Sequence, residues 1–347
     1  MGNYLAPLKK WLYINKSTNM LDIILLLLLS LIVFLQIFLF YRNSGLSPPS
    51  YRIAVIGFPK VGKTTLITIL FRQLLNGERR EHVFIMPRGS STIDKINDDY
   101  AKLDMNKKLA PTTDQDLFAY RFDMERGKWF KQRYKIEIGD FPGEDSEQFA
   151  KDYDNKFHKT PYFKWMMEAD AFMIIFDIAD LLQNEKIAKK NKTDFDSAIR
   201  SAWQHVAEYH SEGKRNLKDK PVVLVFAKSD LFNLLDETMV LGDVVSKKVQ
   251  QWGFYEIPDV REMDNEKLKN GKKLAKEQFA DLINYFNSES NQFNIVFASA
   301  FSGAGDSNKN KRLGMKELTE KILPAESSLL SALLKLVKQT VDVFQKK

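Results

Sequence analysis

The residues best placed to do chemistry form one run, GFPKVGKT at 57–64. It fits G-x-x-x-x-G-K-[ST] without a gap, the spacing of a loop that wraps a polyphosphate. Gly57 turns the chain off a strand, and Gly62 lets the backbone close around a phosphate. Exposed N–H groups and a helix N-terminus then meet the phosphate charge. Val61 and Thr65 belong to the same cradle. Lys63 is placed to reach the β- and γ-phosphates, and the Thr64 hydroxyl to ligate Mg²⁺. The loop works only between a strand and a helix, and both flanks comply. Residues 52–56 (RIAVI) read as a short buried strand and 65–71 (TLITILF) as an apolar helix.

A second group falls at 140–143, DFPG, at the end of an alternating strand. A strand-terminal Asp140 is the right device to hold a Mg²⁺ water. Gly143, three residues on, can swing its N–H toward a γ-phosphate. Both groups need strands that deliver their carboxyl ends to one place. Residues 83–86 read as a short strand and 91–105 as a helix opening at a Ser/Thr cap. Residues 117–122 and 134–138 alternate in the strand manner around Glu125, Arg126 and Gly127, a hairpin. Buried strands follow at 171–176, 221–226 and 293–297. Between them runs a helix over 195–209, with Phe195, Ile199, Ala202, Trp203 and Val206 on one face. A terminal amphipathic helix follows over 330–344. Strand and helix in alternation predict a mostly parallel sheet with helices on both faces and ligands at the carboxyl strand ends.

With these stations in order, the chain resembles a Ras-like GTPase of the translation-factor class over roughly 52–345. They are GFPKVGKT, Pro111-Thr112 in a first switch loop, DFPG, AKSD at 227–230 for N/T-K-x-D, and ASA at 298–300 for the SA-type loop. The resemblance implies a three-layer α/β sandwich, mostly parallel with one antiparallel edge strand. It implies that GTP or GDP binds with Mg²⁺ and that GTP is hydrolysed as a switch. Asp230 would accept hydrogen bonds from the guanine N1–H and 2-amino group, which adenine cannot offer. Lys228 would pack over the base, and the Ala300 N–H would meet guanine O6, with Ser299 beside it in the site. Thr112, with Thr113 as alternative, would ligate Mg²⁺ in the GTP state. Ala227 departs from the pattern, standing where Asn or Thr is usual. Glu144 stands where many relatives carry Gln to orient the attacking water. Lys60 replaces the Asn of the similar Era-like loop, where the Asn helps bind a potassium ion. A lysine there is a candidate catalytic charge. These departures feed a second reading, a GTP-binding recruitment subunit with negligible turnover.

Ahead of this domain, 23–40 is apolar except for Ser30 and Gln36. Eighteen helical residues rise about 27 Å, close to the hydrocarbon thickness of a bilayer. The expected plan is a tail at 1–22, a transmembrane helix at 23–41, a linker at 42–51 and a GTPase domain at 52–347. Insertions are expected at about 76–110 and 231–291. One span followed by a GTPase domain is similar to the signal recognition particle receptor β subunit. Lys9, Lys10 and Lys16 precede the span, and Arg42 and Arg52 follow it, so charge slightly favours a cytosolic N-terminus. A nucleotide site needs the cytosolic pool and outweighs that small difference. The expectation is a cytoplasmic GTPase domain on the inner membrane, or on an organelle membrane in a eukaryotic cell.

Composition narrows the remaining classes. Basic residues number 52 against 45 acidic, a net charge of +7. The basic runs alternate with acidic and polar residues, so no nucleic-acid partner is expected. The expected partners are the bilayer, the guanine nucleotide and a protein effector of unknown kind. The absence of cysteine excludes disulfides and thiolate metal sites. His82, His158, His205 and His210 lack metal-ligand spacing.

Overall fold

A computed structural model describes residues 20–43, 48–76, 83–104, 109, 118–127, 132–140, 161–212, 217–242, 245–247, 263–300 and 312–324. The chain divides into two compact units, the second being Pro49–Ser328. In the first, the described element is α1, Met20–Asn43. Its side chains are described at 24, 25 and 27–36, and Leu25, Leu27 and Leu31 are more than half exposed. Among the described residues, no helix is long and apolar enough to cross a membrane.

The second unit is built on seven strands: β1 Ser50–Ile56, β2 Val83–Pro87, β3 Phe118–Arg126, β4 Gln132–Asp140, β5 Ala171–Asp177, β6 Val222–Ala227 and β7 Phe293–Phe297. Their order is β2-β3-β4-β1-β5-β6-β7. The pairs β4–β1, β1–β5, β5–β6 and β6–β7 are parallel, whereas β2–β3 and β3–β4 are antiparallel. The mostly parallel sheet is as expected, with one correction. The antiparallel strand β3 is not the edge, because β2 lies outside it. The insertion at 76–110 is therefore partly sheet. Val83 and Ile85 pack toward the core while Phe84 and Met86 are about half exposed, the alternation of a strand covered on one face.

Two apolar cores sandwich the sheet, and strand parity assigns residues to each. Ala54, Ile56, Phe172, Ile174, Phe176, Leu224 and Phe226 face one core; Ile53, Val55, Met173, Ile175, Val223 and Val225 face the other. β5 and β6 are buried along their whole length, which is why they read as unbroken apolar runs. The first core is covered by α6 (Glu185–Glu212), α7 (Asn265–Gln278) and α8 (Ala280–Glu289), through Phe195, Ile199, Trp203, Ala275 and Phe286. Those α6 residues are the face predicted from periodicity, though the helix is longer than 195–209. The second core is covered by α2 (Lys63–Asn76), α3 (Ser90–Asp104) and α9 (Met315–Ile322). Two short helices are also described, α4 (Pro161–Met167) and α5 (Ile178–Leu181). The insertion at 231–291 supplies α7 and α8. The predicted helix over 330–344 lies outside the described residues.

Candidate functional site

β1 sits between β4 and β5, where the order of strands reverses about the sheet. In such sheets ligands bind at the carboxyl ends beside that switch point. Each sequence-predicted site residue that is described lies at such an end. GFPKVGKT follows β1, Asp140 closes β4, Lys228 and Asp230 follow β6, and Ser299 and Ala300 follow β7.

The phosphate loop owes its shape to its glycines for two different reasons. A Cβ on Gly57 would come 3.0 Å from Val61 Cγ2 and 3.1 Å from the Ile175 carbonyl oxygen, so the loop lies hard against β5. At Gly62 there is room for a Cβ, but φ is +89°, a left-handed conformation that a side chain resists. Lys60 also adopts positive φ, 66°, and its side chain is exposed. Val61 is buried, and Thr65 is half-buried in the first turn of α2. Leu66 N–H donates to Gly62 O at 2.9 Å, starting the helix directly behind the loop. The Lys63 ammonium donates to the carbonyls of Gly57 (2.7 Å) and Phe58 (3.2 Å) and is held inside the arc.

From the start of α2, the Thr64 hydroxyl donates to Asp140 Oδ1 at 3.2 Å, although 76 residues separate them. Asp140 is fully buried. A hydroxyl and a carboxylate this close beside the phosphate loop fit a Mg²⁺ ion that takes its remaining ligands from phosphate and water. Among the described residues, no cluster of three or more His, Cys, Asp or Glu could hold a metal by itself.

On the far side of β1, Lys228 begins the base loop with a left-handed backbone, φ 58°. Its ammonium pairs with Asp177 and donates to Lys60 O at 3.4 Å. Burial works against the Lys228 charge, yet the carboxylates of Asp177, Asp180 and Asp230 together outweigh it and raise the pKa. Asp230 follows in a 3₁₀ turn, Ser229–Leu234, and is 1% exposed. Among the described residues, neither of its carboxylate oxygens has a hydrogen bond of good geometry. Burial pushes its pKa up to about 6, opposed by the nearby Ser299 hydroxyl, its own N–H and Lys228. A buried carboxylate with open acceptor positions is costly unless a donor-bearing ligand completes it. Guanine presents such donors, so the residues fit that base. Ser299 is buried next to this loop, where the Ser229 N–H also donates to Ala298 O at 3.1 Å. Ala300 is half-buried.

Asp177 was not among the predicted site residues. A charged residue closing the apolar run 171–176 was its signal, at the same strand-end position as Asp140. Thr112, Thr113, Gly143 and Glu144 lie outside the described residues.

A family model described as Double-GTPase 2 matches residues 51–292. The chain belongs to the Double-GTPase 2 family. Membership makes this a GTPase-family domain, which implies that it binds guanine nucleotide and hydrolyses GTP. The matched segment runs from β1 through α8, so it contains the phosphate loop, Asp140, Asp177, Lys228 and Asp230. Ser299 and Ala300 fall beyond the match to the Double-GTPase 2 model. A comparison with curated proteins finds no match.

Proposed function

We propose that this Double-GTPase 2 protein is a membrane-anchored switch that binds GTP·Mg²⁺ and hydrolyses GTP. The observation that carries the guanine preference is Asp230, a buried carboxylate just past the end of β6 with, among the described residues, no hydrogen bond of good geometry to either oxygen. Thr64 and Asp140 would hold Mg²⁺, which when bound neutralises charge on the β- and γ-phosphates. Lys63 binds those phosphates, and Gly57, Val61, Gly62 and Thr65 shape the cradle around them. Lys228 covers the base, with Ser299 and the Ala300 N–H near guanine O6. Thr112, Gly143 and Glu144 are proposed as the residues that respond to the γ-phosphate. Lys60 is proposed as a positive charge acting at the transition state.

Support for the anchor is the sequence at 23–40, apolar except for Ser30 and Gln36. A row of exposed leucines calls for apolar surroundings. The GTPase domain would lie on the cytoplasmic side, where the nucleotide pool is.

Competition for a fluorescent GDP analogue on the detergent-solubilised chain tests the nucleotide reading. GTP and GDP should outcompete ATP by at least tenfold, and equal competition by ATP would sink it. Deleting 23–40 should release a soluble protein that still binds GDP, and a product that stays with the membrane contradicts the anchor. Single-turnover hydrolysis then separates a switch from a recruitment subunit that holds GTP without turning it over.

A further inference from the structure

Ala227 closes β6 with only a methyl group, and it is paired in register with Asp177 at the end of β5. A methyl cannot direct the lysine that follows it. The neighbouring strand supplies that direction. Asp177 Oδ1 accepts the Ala179 N–H at 2.9 Å, capping α5, and this fixes the carboxylate's orientation. Its other oxygen, Oδ2, pairs with the Lys228 ammonium. The same ammonium donates to Lys60 O in the phosphate loop at 3.4 Å. One chain of contacts thus runs from β5 through the base loop to the phosphate loop. Both side chains of the pair are mostly sheltered, at 19% and 9% exposure, so water screens it little.

We propose that Asp177 is a positioning residue for guanine-nucleotide binding: it aims Lys228 across the base site. Asp177 contacts neither base nor phosphate in this scheme and acts through Lys228. The neighbouring carboxylate argues for Asp177 as the partner. Burial and the Asp177 charge raise the Asp180 pKa to about 7, against the pull of Lys228. Asp177, not Asp180, makes the direct contact with the Lys228 ammonium. The inference rests on the proposed guanine-nucleotide reading of this site.

The test is a double-mutant cycle on the full chain in detergent, with binding of GDP and of pyrophosphate measured for each variant. Asp177→Asn keeps a good helix-cap acceptor and removes the charge that orients Lys228. It should weaken GDP binding at least tenfold while pyrophosphate, which meets only the phosphate loop, binds within about twofold of wild type. Lys228→Ala should lose as much or more. The double variant should bind GDP no worse than Lys228→Ala, because the two residues act as one unit. Losses that multiply would mean that Asp177 acts independently of Lys228 and would overturn the proposal. GDP and pyrophosphate weakened alike would assign Asp177 a merely structural role, with the same consequence. A wild-type protein that fails to bind GDP refutes the proposed function itself. A wild type that binds, with Asp177→Asn binding equally well, refutes only this inference.

Discussion

Asp230 should trade stability for binding. Its carboxyl pKa is raised by burial from 3.8 to about 6 in the folded protein. The folded state therefore holds the proton more tightly than the unfolded chain does. That contribution is fully present below pH 3.8 and is lost as pH rises through about 6. A shift of roughly two units corresponds to about 3 kcal/mol, an upper figure for one buried group. Asp230→Asn removes the ionisation, so the nucleotide-free variant should be more stable than wild type at pH 7.5, by up to about 3 kcal/mol. The same carboxylate must be ionised to accept two guanine N–H groups. At pH 5 about one protein in eleven would have it ionised, so GDP affinity should fall about tenfold between pH 7.5 and 5. In Asp230→Asn that pH dependence should vanish, with GDP affinity down at least a hundredfold and preference shifted toward xanthine nucleotides. Thermal denaturation without nucleotide and fluorescence titration across pH 5–7.5 read both effects. A wild-type GDP affinity that is flat across that range, together with an Asp230→Asn protein no more stable than wild type, would refute the reasoning.

The other predictions concern the phosphate loop and the insertion. If Lys60 supplies the charge that a potassium ion supplies in similar loops, hydrolysis should be equal in potassium and sodium buffers. Lys60→Ala should slow it 10- to 1,000-fold, about 1.4 to 4 kcal/mol, with GDP affinity nearly unchanged; a wild-type rate would return Lys60 to the surface. Gly271 in α7 faces the ring of Phe232, and an added Cβ would lie 2.2 Å from Phe232 Cδ1. Gly271→Ala should therefore destabilise the domain by about 1–3 kcal/mol despite better helix propensity. It should weaken GDP binding too, because Phe232 shares the 3₁₀ turn with Asp230. A rise in melting temperature would show that α7 yields freely there.

The local chemistry was legible in the sequence because it is contiguous. The spacing from Gly57 to Thr64 prescribes a loop between strand and helix, and the uniformly apolar runs of β5 and β6 announce strands covered on both faces. The face of α6 carrying Phe195, Ile199 and Trp203 was readable because a helix repeats every 3.6 residues. Contacts between segments were a different matter. Periodicity says that Val83 and Ile85 share a face, but the sheet order alone puts β2 outside β3. Nothing local to Thr64 says that its hydroxyl meets Asp140, 76 residues away. Asp177 looked like the polar end of an apolar strand until the parallel register of β5 and β6 brought it to Lys228. That Ala227 stands where Asn or Thr is usual is a statement about one side chain. Tertiary structure answered it with another, because strands adjacent in space but 50 residues apart in sequence end at the same edge. Residue types and their spacing determined which chemistry is possible, and strand order determined which groups are close enough to perform it.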